Sequence, residues 1–491
     1  MDPNPESQRE LSREELVALV AAQAAQITAQ AGEITALRAE IAELRRRLGL
    51  NSSNSGKPPS SDGLSKPPRD NRTRSMREPS GRPSGGQKGH KGETLLQVAT
   101  PDQVVDHFPL CCTACGAAIT PAMATGHSAR QVFDLPEPAP LVVTEHRAHD
   151  CQCARCGALS RGAFPAGVKA PVQYGPRIAA FVVYLLHYQL LPEDRLAALM
   201  ADLFGVKLVA ATIARISRQC AGRLAAVVAV LREGVIAAAV KHLDETGFRI
   251  GGNTQWLHVA ATALITFYRI CRKRGSMLAN VVGTVVHDHW KPYYTMPGVD
   301  HALCNAHHLR ELKALIEIEK EDWARAMAHL LRRACHAGNL AAARAGALKT
   351  LKPRLIELIE RRYDAIVTAG LAYHEAQPAL GRAAAKGSRK PRGRAPRRTG
   401  HNLLLRLLTR KQDVLRFLND AAVPFTNNLA EGDLRMMKVK QKISGGFRSE
   451  QGASDFATIR SVISTAQKHG WNVIEALAQD PQLLIAAIRP P

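Results

Sequence analysis

Apolar positions near the start of the chain recur every seven residues. Val20, Ile27, Ile34, Ile41 and Leu48 form one row; Leu16, Gln23, Gln30, Leu37 and Leu44 form the other. This is an a/d seam with mostly β-branched residues at a and leucine at most d positions. It predicts a helix over residues 12–49 that pairs with a second, parallel copy of itself. The alternative is an amphipathic helix packed on its own chain. At about 1.5 Å per residue the helix is roughly 55 Å long, and the paired glutamines weaken the middle of the seam and fix its register.

The pattern then breaks. Residues 51–94 are rich in Ser, Pro, Gly and basic side chains, with nine Lys and Arg against three acids between 51 and 92. Such a stretch buries too little apolar surface to order itself and reads as a basic linker. Helical periodicity starts at Pro176. A short helix from Glu193 to Leu203, a turn at Phe204–Lys207 and a second helix from Ala210 to Cys220 give the outline of a helix-turn-helix, with Arg215 and Arg218 outward.

Near residue 238 the period changes from helix to strand. Val240–Ile250, Trp256–Thr262 and Leu264–Ile270 read as three successive strands, with Gly251–Asn253 as a turn. Val281–His287 is a short buried strand and Ala302–Cys304 another, followed by a helix from Ala306. This order fits a mixed sheet flanked by helices. Residues 319–380 are helical, and 386–398 form an arm with seven basic residues and no acid. Helices resume from Asn402, the last running from Asp455 to about Leu477.

A length of 491 residues implies several domains. The net charge of +23 points to a polyanionic partner, nucleic acid before an anionic membrane surface. There is no apolar run long enough to span a membrane and no secretory signal, so the cysteines are expected to serve as metal ligands rather than disulfides. Cys112-x-x-Cys115 and Cys153-x-x-Cys156, each followed by glycine, have the form of a zinc-knuckle pair. Four thiolates would close a structural zinc site, with Cys111 and Cys151 as substitute ligands. Strands are expected near Gln131–Leu135 and Leu141–His146 between the pairs.

Acids that interrupt apolar strands are costly unless a cation meets them. Asp244 lies inside the first strand and Asp288 follows the run Val281–His287. Further on, Asn427, Glu431 and Arg435 are spaced four apart and share one face of an expected helix. Asp300 and Glu245 compete for these roles, although Glu245 should face away from Asp244. His307 and His308 open a helix and are candidates for phosphate contact or for structural hydrogen bonding. Lys438, Lys440 and Lys442 continue past Glu431.

Taken together the motifs resemble the transposases of insertion sequence family 66. The likeness is carried by the zipper followed by Asn-Ser-Ser-Asn-Ser-Gly-Lys-Pro-Pro-Ser, the paired Cys-x-x-Cys unit, Leu191–Arg195, His242–Thr246, His287–Tyr293, Cys304–His307 and Thr426–Arg435. The chain departs from the family pattern at Gly432, where the family usually has Arg, and at Asn305, where Trp is common.

The resemblance implies a ribonuclease-H-like core and a DDE triad at Asp244, Asp288 and Glu431, holding Mg²⁺ or Mn²⁺. It also implies a helical insertion, for which the 142 residues between Asp288 and Glu431 leave room. The expected organisation is a multidomain chain: coiled coil 1–50, basic linker 51–108, zinc-binding β unit 109–159, helical region with helix-turn-helix 160–236, core 237–318, helical insertion with basic arm 319–412, second part of the core 413–475 and tail 476–491.

Expected DNA contacts are Arg215, Arg218, Arg389, Lys390, Arg392, Arg394, Arg397, Arg398, Asn427, Arg435 and Lys438. Expected partners are the terminal inverted repeats and target DNA, a second copy or more of the chain, and accessory proteins of the same element, in a bacterial cytoplasm. A dimeric DNA-binding regulator and a nuclease that cuts without joining are the rival readings.

Overall fold

The computed structural model describes residues 12–51, 54–55, 96–134, 141–275, 278–345, 351–378, 380 and 397–488. The chain separates into two compact units. One is built from Met1–Pro67, Lys169–Ala197 and Leu208–Pro491, the other from Pro68–Val168 and Ala198–Lys207.

In the larger unit, α1 (Arg13–Gly49) is a single 37-residue helix. Ser12 and Glu15 close a capping box at its start, each side chain bonding the other's backbone N–H. Its heptad positions are exposed, Ile27 at 65%. The linker expected from residue 51 begins later than the composition suggests. The backbone N–H of Asn51 donates to Asn54 Oδ1, and Asn54 Nδ2 donates to Gly49 O and to Glu317 Oε2. Asn54 is thereby buried, and the end of α1 is fastened to Glu317. A short polar motif orders itself here through hydrogen bonds that composition does not reveal. Of the linker expected over 51–108, residues 52–53 and 56–95 lie outside the described residues, and 96–108 are exposed.

In the smaller unit β1 (Asp150–Gln152) and β2 (Leu159–Arg161) form an antiparallel hairpin. The strands expected at Gln131–Leu135 and Leu141–His146 are not seen: residues 131–134 and 141–146 are irregular. A β-branched run becomes a strand only with a ladder partner. Here the Gln131 side chain takes that place, accepting from Val98 N and donating to Val98 O, both at 2.7 Å. No described residue from 96 to 168 is buried.

Next in the chain come α2 (Pro176–Val183), α3 (Glu193–Phe204) and α4 (Ala210–Ala237). The helix expected over Ala210–Cys220 runs on to Ala237, 28 residues in all, because Leu224, Val227, Leu231 and Val235 extend the buried stripe of Ile213, Ile216 and Cys220.

The sheet follows: β3 (Val240–Ile250), β4 (Asn253–Ala261), β5 (Thr266–Cys271), β6 (Gly283–His287) and β7 (Val299–Leu303). Its order is β5-β4-β3-β6-β7. The first three strands run antiparallel, and β6 and β7 add in parallel beside β3. The β3–β6 junction depends on Gly283. Its φ is +74°, and a Cβ there would lie 2.5 Å from Ala239 O, which accepts a hydrogen bond from Thr284 N. Gly283→Ala is expected to lower the urea midpoint, costing about 1–3 kcal/mol from the left-handed backbone alone. An unchanged midpoint would mean that this close approach is dispensable.

Helices α5 (Asn305–Ala314), α6 (Asp322–Ala345), α7 (Pro353–Glu375), α8 (Thr399–Thr409) and α9 (Lys411–Asn419) share a core around Leu312, Met327, Leu331, Tyr363, Leu404 and Leu415. The chain then returns to the sheet as α10 (Asn428–Ser444) and α11 (Glu450–Lys468). These two pack on the face of β3 that carries Phe248 and Ile250, while α4 covers the opposite face at Leu243, Ala260 and Phe267. The last helix expected from sequence is two, because Asn472 Oδ1 accepts from Ile474 N and Glu475 N and caps a new start. That start opens α12 (Val473–Ala478), and α13 (Pro481–Ile488) ends the described chain. Among the described residues no helix is long and apolar enough to cross a membrane.

Candidate active site

The parallel register pairs Val240 with Thr284, Lys241 with Val285 and His242 with Val286. Continued by two residues, it sets Asp244 opposite Asp288, just past the end of β6. Alternation along β3 puts Asp244 on the face of α10 and Glu245 on the other. Asn427, immediately before α10, fixes the helix to this strand: its Oδ1 bonds His242 Nδ1 at 2.8 Å and its Nδ2 donates to Leu243 O at 2.8 Å. Asn427 is 1% exposed. Both ends of its amide are hydrogen-bonded, so it anchors α10 to β3. Glu431 sits in the first turn of α10.

Asp288 and Glu431 both act on Asp244. Burial first, then the charges of Glu245, Asp288 and Glu431, push Asp244 well above the usual carboxylate range; the Glu245 N–H bonded to Asp244 Oδ1 opposes this. Burial also raises Asp288, against the Trp290 N–H that donates to its Oδ1 and the nearby Arg274. Glu245 faces away, where it accepts from Arg274 and from Tyr293 Oη.

The three carboxylates do not close on one another to within 4.8 Å. Among the described residues that distance is met by one group of metal-ligating side chains, Cys304, His307 and Glu431. Cys304 Sγ lies 3.6 Å from Glu431 Oε1, with His307 Nδ1 at 3.7 Å and an Arg310 guanidinium nitrogen at 3.6 Å. A thiol, an imidazole and a carboxylate form a donor set suited to a borderline ion such as Zn²⁺. Burial and Glu431 push the Cys304 thiol up to about 12, and burial holds His307 neutral with its pKa at about 3. His308 is fully buried against Asn305 Oδ1, so of the two histidines only His307 faces the site. Asn305 Nδ2 donates to Val414 O, tying α5 to α9. A Cβ at Gly432 would meet nothing within 4 Å, so no packing requires glycine there.

Sequence reasoning passed over Arg274, Arg310 and Tyr293. Arg310 was accessible, being three residues beyond His307 on one helix face. Arg274 was not, since its place depends on the β5–β6 connection.

The cysteine pairs form two matching knuckles. Cys112 N donates to Ala117 O and Gly116 N to Cys112 O; Cys153 N donates to Ala158 O and Gly157 N to Cys153 O. Gly116 and Gly157 adopt φ of +74° and +70°, which suits glycine. The N–H groups of Ala114 and Cys115 lower the Cys112 thiol pKa, and those of Cys156 and Arg155 lower that of Cys153. The two pairs are not within ligand distance of each other.

Of the expected DNA contacts, Arg215, Arg218, Arg435 and Lys438 are exposed, and Arg397 and Arg398 are half-buried. Arg389, Lys390, Arg392 and Arg394 lie outside the described residues.

Comparison with known proteins gives three matches. Residues 2–95 match a family of unknown function (DUF6444). An uncharacterized protein of Sinorhizobium fredii, y4jO, is 35% identical over 95 residues, which is 18% of this chain and 30% of that protein. The chain therefore spans less than a third of that curated relative. Residues 171–455, more than half the chain, match the model of the transposase IS66 family. That stretch holds the whole five-stranded sheet, the three acids and the helices that bring the third back to the first two, and the chain belongs to the IS66 family of transposases.

Proposed function

We propose that the chain is a DDE-type DNA transposase that hydrolyses the 3′ ends of an insertion sequence and joins them to target DNA. The observation that carries this reading is the convergence of Asp288 and Glu431 on Asp244, whose pKa both raise, the three being drawn from the end of a parallel strand, a helix more than a hundred residues later and a central strand. The strand order, three antiparallel strands extended by two parallel ones, supports a ribonuclease-H-like core.

Carboxylate oxygens fit a hard divalent ion, and burial raises the pKa of Asp244 and Asp288. Asp244, Asp288 and Glu431 would hold Mg²⁺ or Mn²⁺, which when bound supplies charge neutralisation and Lewis acidity at the scissile phosphate. The protein's own part is orientation. The Trp290 N–H fixes one Asp288 oxygen, and the Arg310 guanidinium, 3.6 Å away, faces one Glu431 oxygen. Water is the nucleophile for 3′-end hydrolysis, and the freed 3′-hydroxyl is the nucleophile for joining. No protein–DNA covalent bond is needed.

In the same reading, the zipper pairs two protomers, the knuckles hold one structural Zn²⁺, and exposed Arg215, Arg218, Arg435 and Lys438 contact DNA with Arg397, Arg398 and the 386–396 arm. Accessory proteins of the same element and a cytoplasmic, nucleoid-associated location complete it.

The test is a Mg²⁺-dependent cleavage and joining assay on the element's end DNA. Wild type is expected to nick and join, and Asp244→Asn to bind without either. Normal turnover by the variant would overturn the reading, and nicking without joining by wild type would identify a nuclease. A thermal scan gives an independent check. The folded-state pKa of Asp244 is raised, so the stability its protonation contributes is complete at pH below about 4, the unfolded carboxylate's value, and is lost as pH rises through the folded one. Without divalent ions at neutral pH, Asp244→Asn is therefore expected to melt above wild type, with the difference closing in acid. Mg²⁺ should raise the melting temperature of wild type more than that of the variant.

A further inference from the structure

The Cys304-x-x-His307 pair has no part in the carboxylate chemistry proposed above. Cys304 caps the start of α5 and His307 follows three residues later, so the two lie one turn apart on one side of the helix. Cys304 Sγ accepts from the Asn427 N–H at 3.1 Å, and the N–H groups of Ala306 and His307 turn to it as well. Outer N–H donors of this kind orient and stabilise a metal-bound thiolate. His307 Nδ1 is buried and makes no hydrogen bond. Glu431 Oε1 lies 3.6 Å from Cys304 Sγ and 3.7 Å from His307 Nδ1, and all three atoms fall within 4.8 Å of one another. Around a tetrahedral Zn²⁺, at about 2.3 Å to sulfur and about 2.0–2.1 Å to nitrogen or oxygen, donor atoms stand about 3.3–3.6 Å apart. The two distances to Glu431 are thus already close to the edges of such a tetrahedron.

We propose that Cys304, His307 and Glu431 form a separate site for a thiophilic divalent ion, Zn²⁺ foremost, and that an ion held there takes Glu431 away from Mg²⁺. Thiolate and imidazole suit Zn²⁺ and are poor donors for Mg²⁺, so the two ions divide between the two donor sets. Glu431 is the one residue the sets share. The Cys304 thiolate, whose proton passes to solvent, and the Glu431 carboxylate together match the ion's two charges. Arg310, 3.6 Å from Glu431 Oε1, therefore meets no net positive charge. Cys304 is 1% exposed, whereas the side chains of His307 and Glu431 are 29% and 23% exposed, so an ion enters from their side and meets the sulfur beneath. With three protein donors against four knuckle thiolates, this is the weaker zinc site and fills on added Zn²⁺. Zinc would then act as an antagonist of the Mg²⁺ reaction. That consequence rests on the reading of Glu431 as the third carboxylate; the binding does not.

The test uses the full chain and Zn²⁺ titrated in competition with a chromophoric chelator. Wild type is expected to take up one more Zn²⁺ per chain than Cys304→Ser or His307→Gln. Each variant should weaken that uptake roughly 100-fold or more, since outer-shell changes alone cost about 10–100-fold. Equal uptake by wild type and both variants overturns the proposal. A second measurement needs no variant. Cadmium-113 resonance on wild type should show an ion with one sulfur donor, distinct from any ion on the knuckle thiolates, and signals from all-thiolate sites alone overturn it. Zinc at the concentration that fills the site should suppress cleavage in Mg²⁺, and undiminished cleavage overturns the antagonism. Failure of the cleavage reading shows separately, as wild type that binds the extra Zn²⁺ and does not cut in Mg²⁺ alone.

Discussion

Glu431→Gln is expected to abolish cleavage and joining of end DNA while leaving DNA binding intact. The substitution keeps the size of the side chain and a neutral oxygen for Arg310, and it removes the anion. Charge stabilisation by a held metal is worth several kcal/mol, so the loss should be roughly 10³-fold or more at about 1.4 kcal/mol per tenfold. Single-turnover assays on end DNA, run beside binding measurements, separate the two effects. Activity equal to wild type would reduce Glu431 to an ion-pair partner of Arg310. The third ligand would then have to be sought elsewhere, with Glu245 disfavoured because it faces Arg274 and Tyr293.

Removing zinc is expected to have the largest effect on stability. No described residue from 96 to 168 is buried, and Val132, Val142 and Val143 are each about 90% exposed. A segment of that size without a core needs another source of folding free energy. The two knuckles stand apart in this structure, and drawing their four thiolates onto one Zn²⁺ would supply on the order of 10 kcal/mol. The knuckles are half-prepared, since backbone N–H groups already favour the thiolate at Cys112 and Cys153. Purified protein should contain one zinc per chain. A strong chelator, or Cys153→Ser, should abolish hydrogen-exchange protection at the knuckles and β1–β2 and leave the five-stranded sheet protected. Metal-free protein with the same protection pattern would sink the idea.

The sheet was largely legible because its signals are local. The alternation in Val240–Ile250 and the apolar run before Asp288 place two acids without knowledge of the rest. The positions of Asp244 and Asp288 on adjacent strands follow from one register. What could not be read depends on distant partners. Asn427 looks like a surface amide four residues before Glu431, and only the fold brings Leu243 and His242 to it. Val132 and Val142 carry β-branched strand chemistry, yet no ladder forms around them. Asn54 reads as linker until Glu317, 263 positions away, is set beside it. The zipper pattern is plain in the sequence, and its seam is exposed in the single chain.

The order of the three acids along the chain has a bearing on synthesis. Asp244 and Asp288 leave the ribosome well before Glu431, and at about 5–20 residues per second the interval is roughly ten to thirty seconds. During that time the nascent chain already carries the outward arginines of α4. α10 and α11, which close one face of the sheet, are still to be made. On the reading proposed above, a nascent or truncated product that ends before α10 would carry the α4 arginines without the third carboxylate, and strand breakage would need chains synthesised at least through that point.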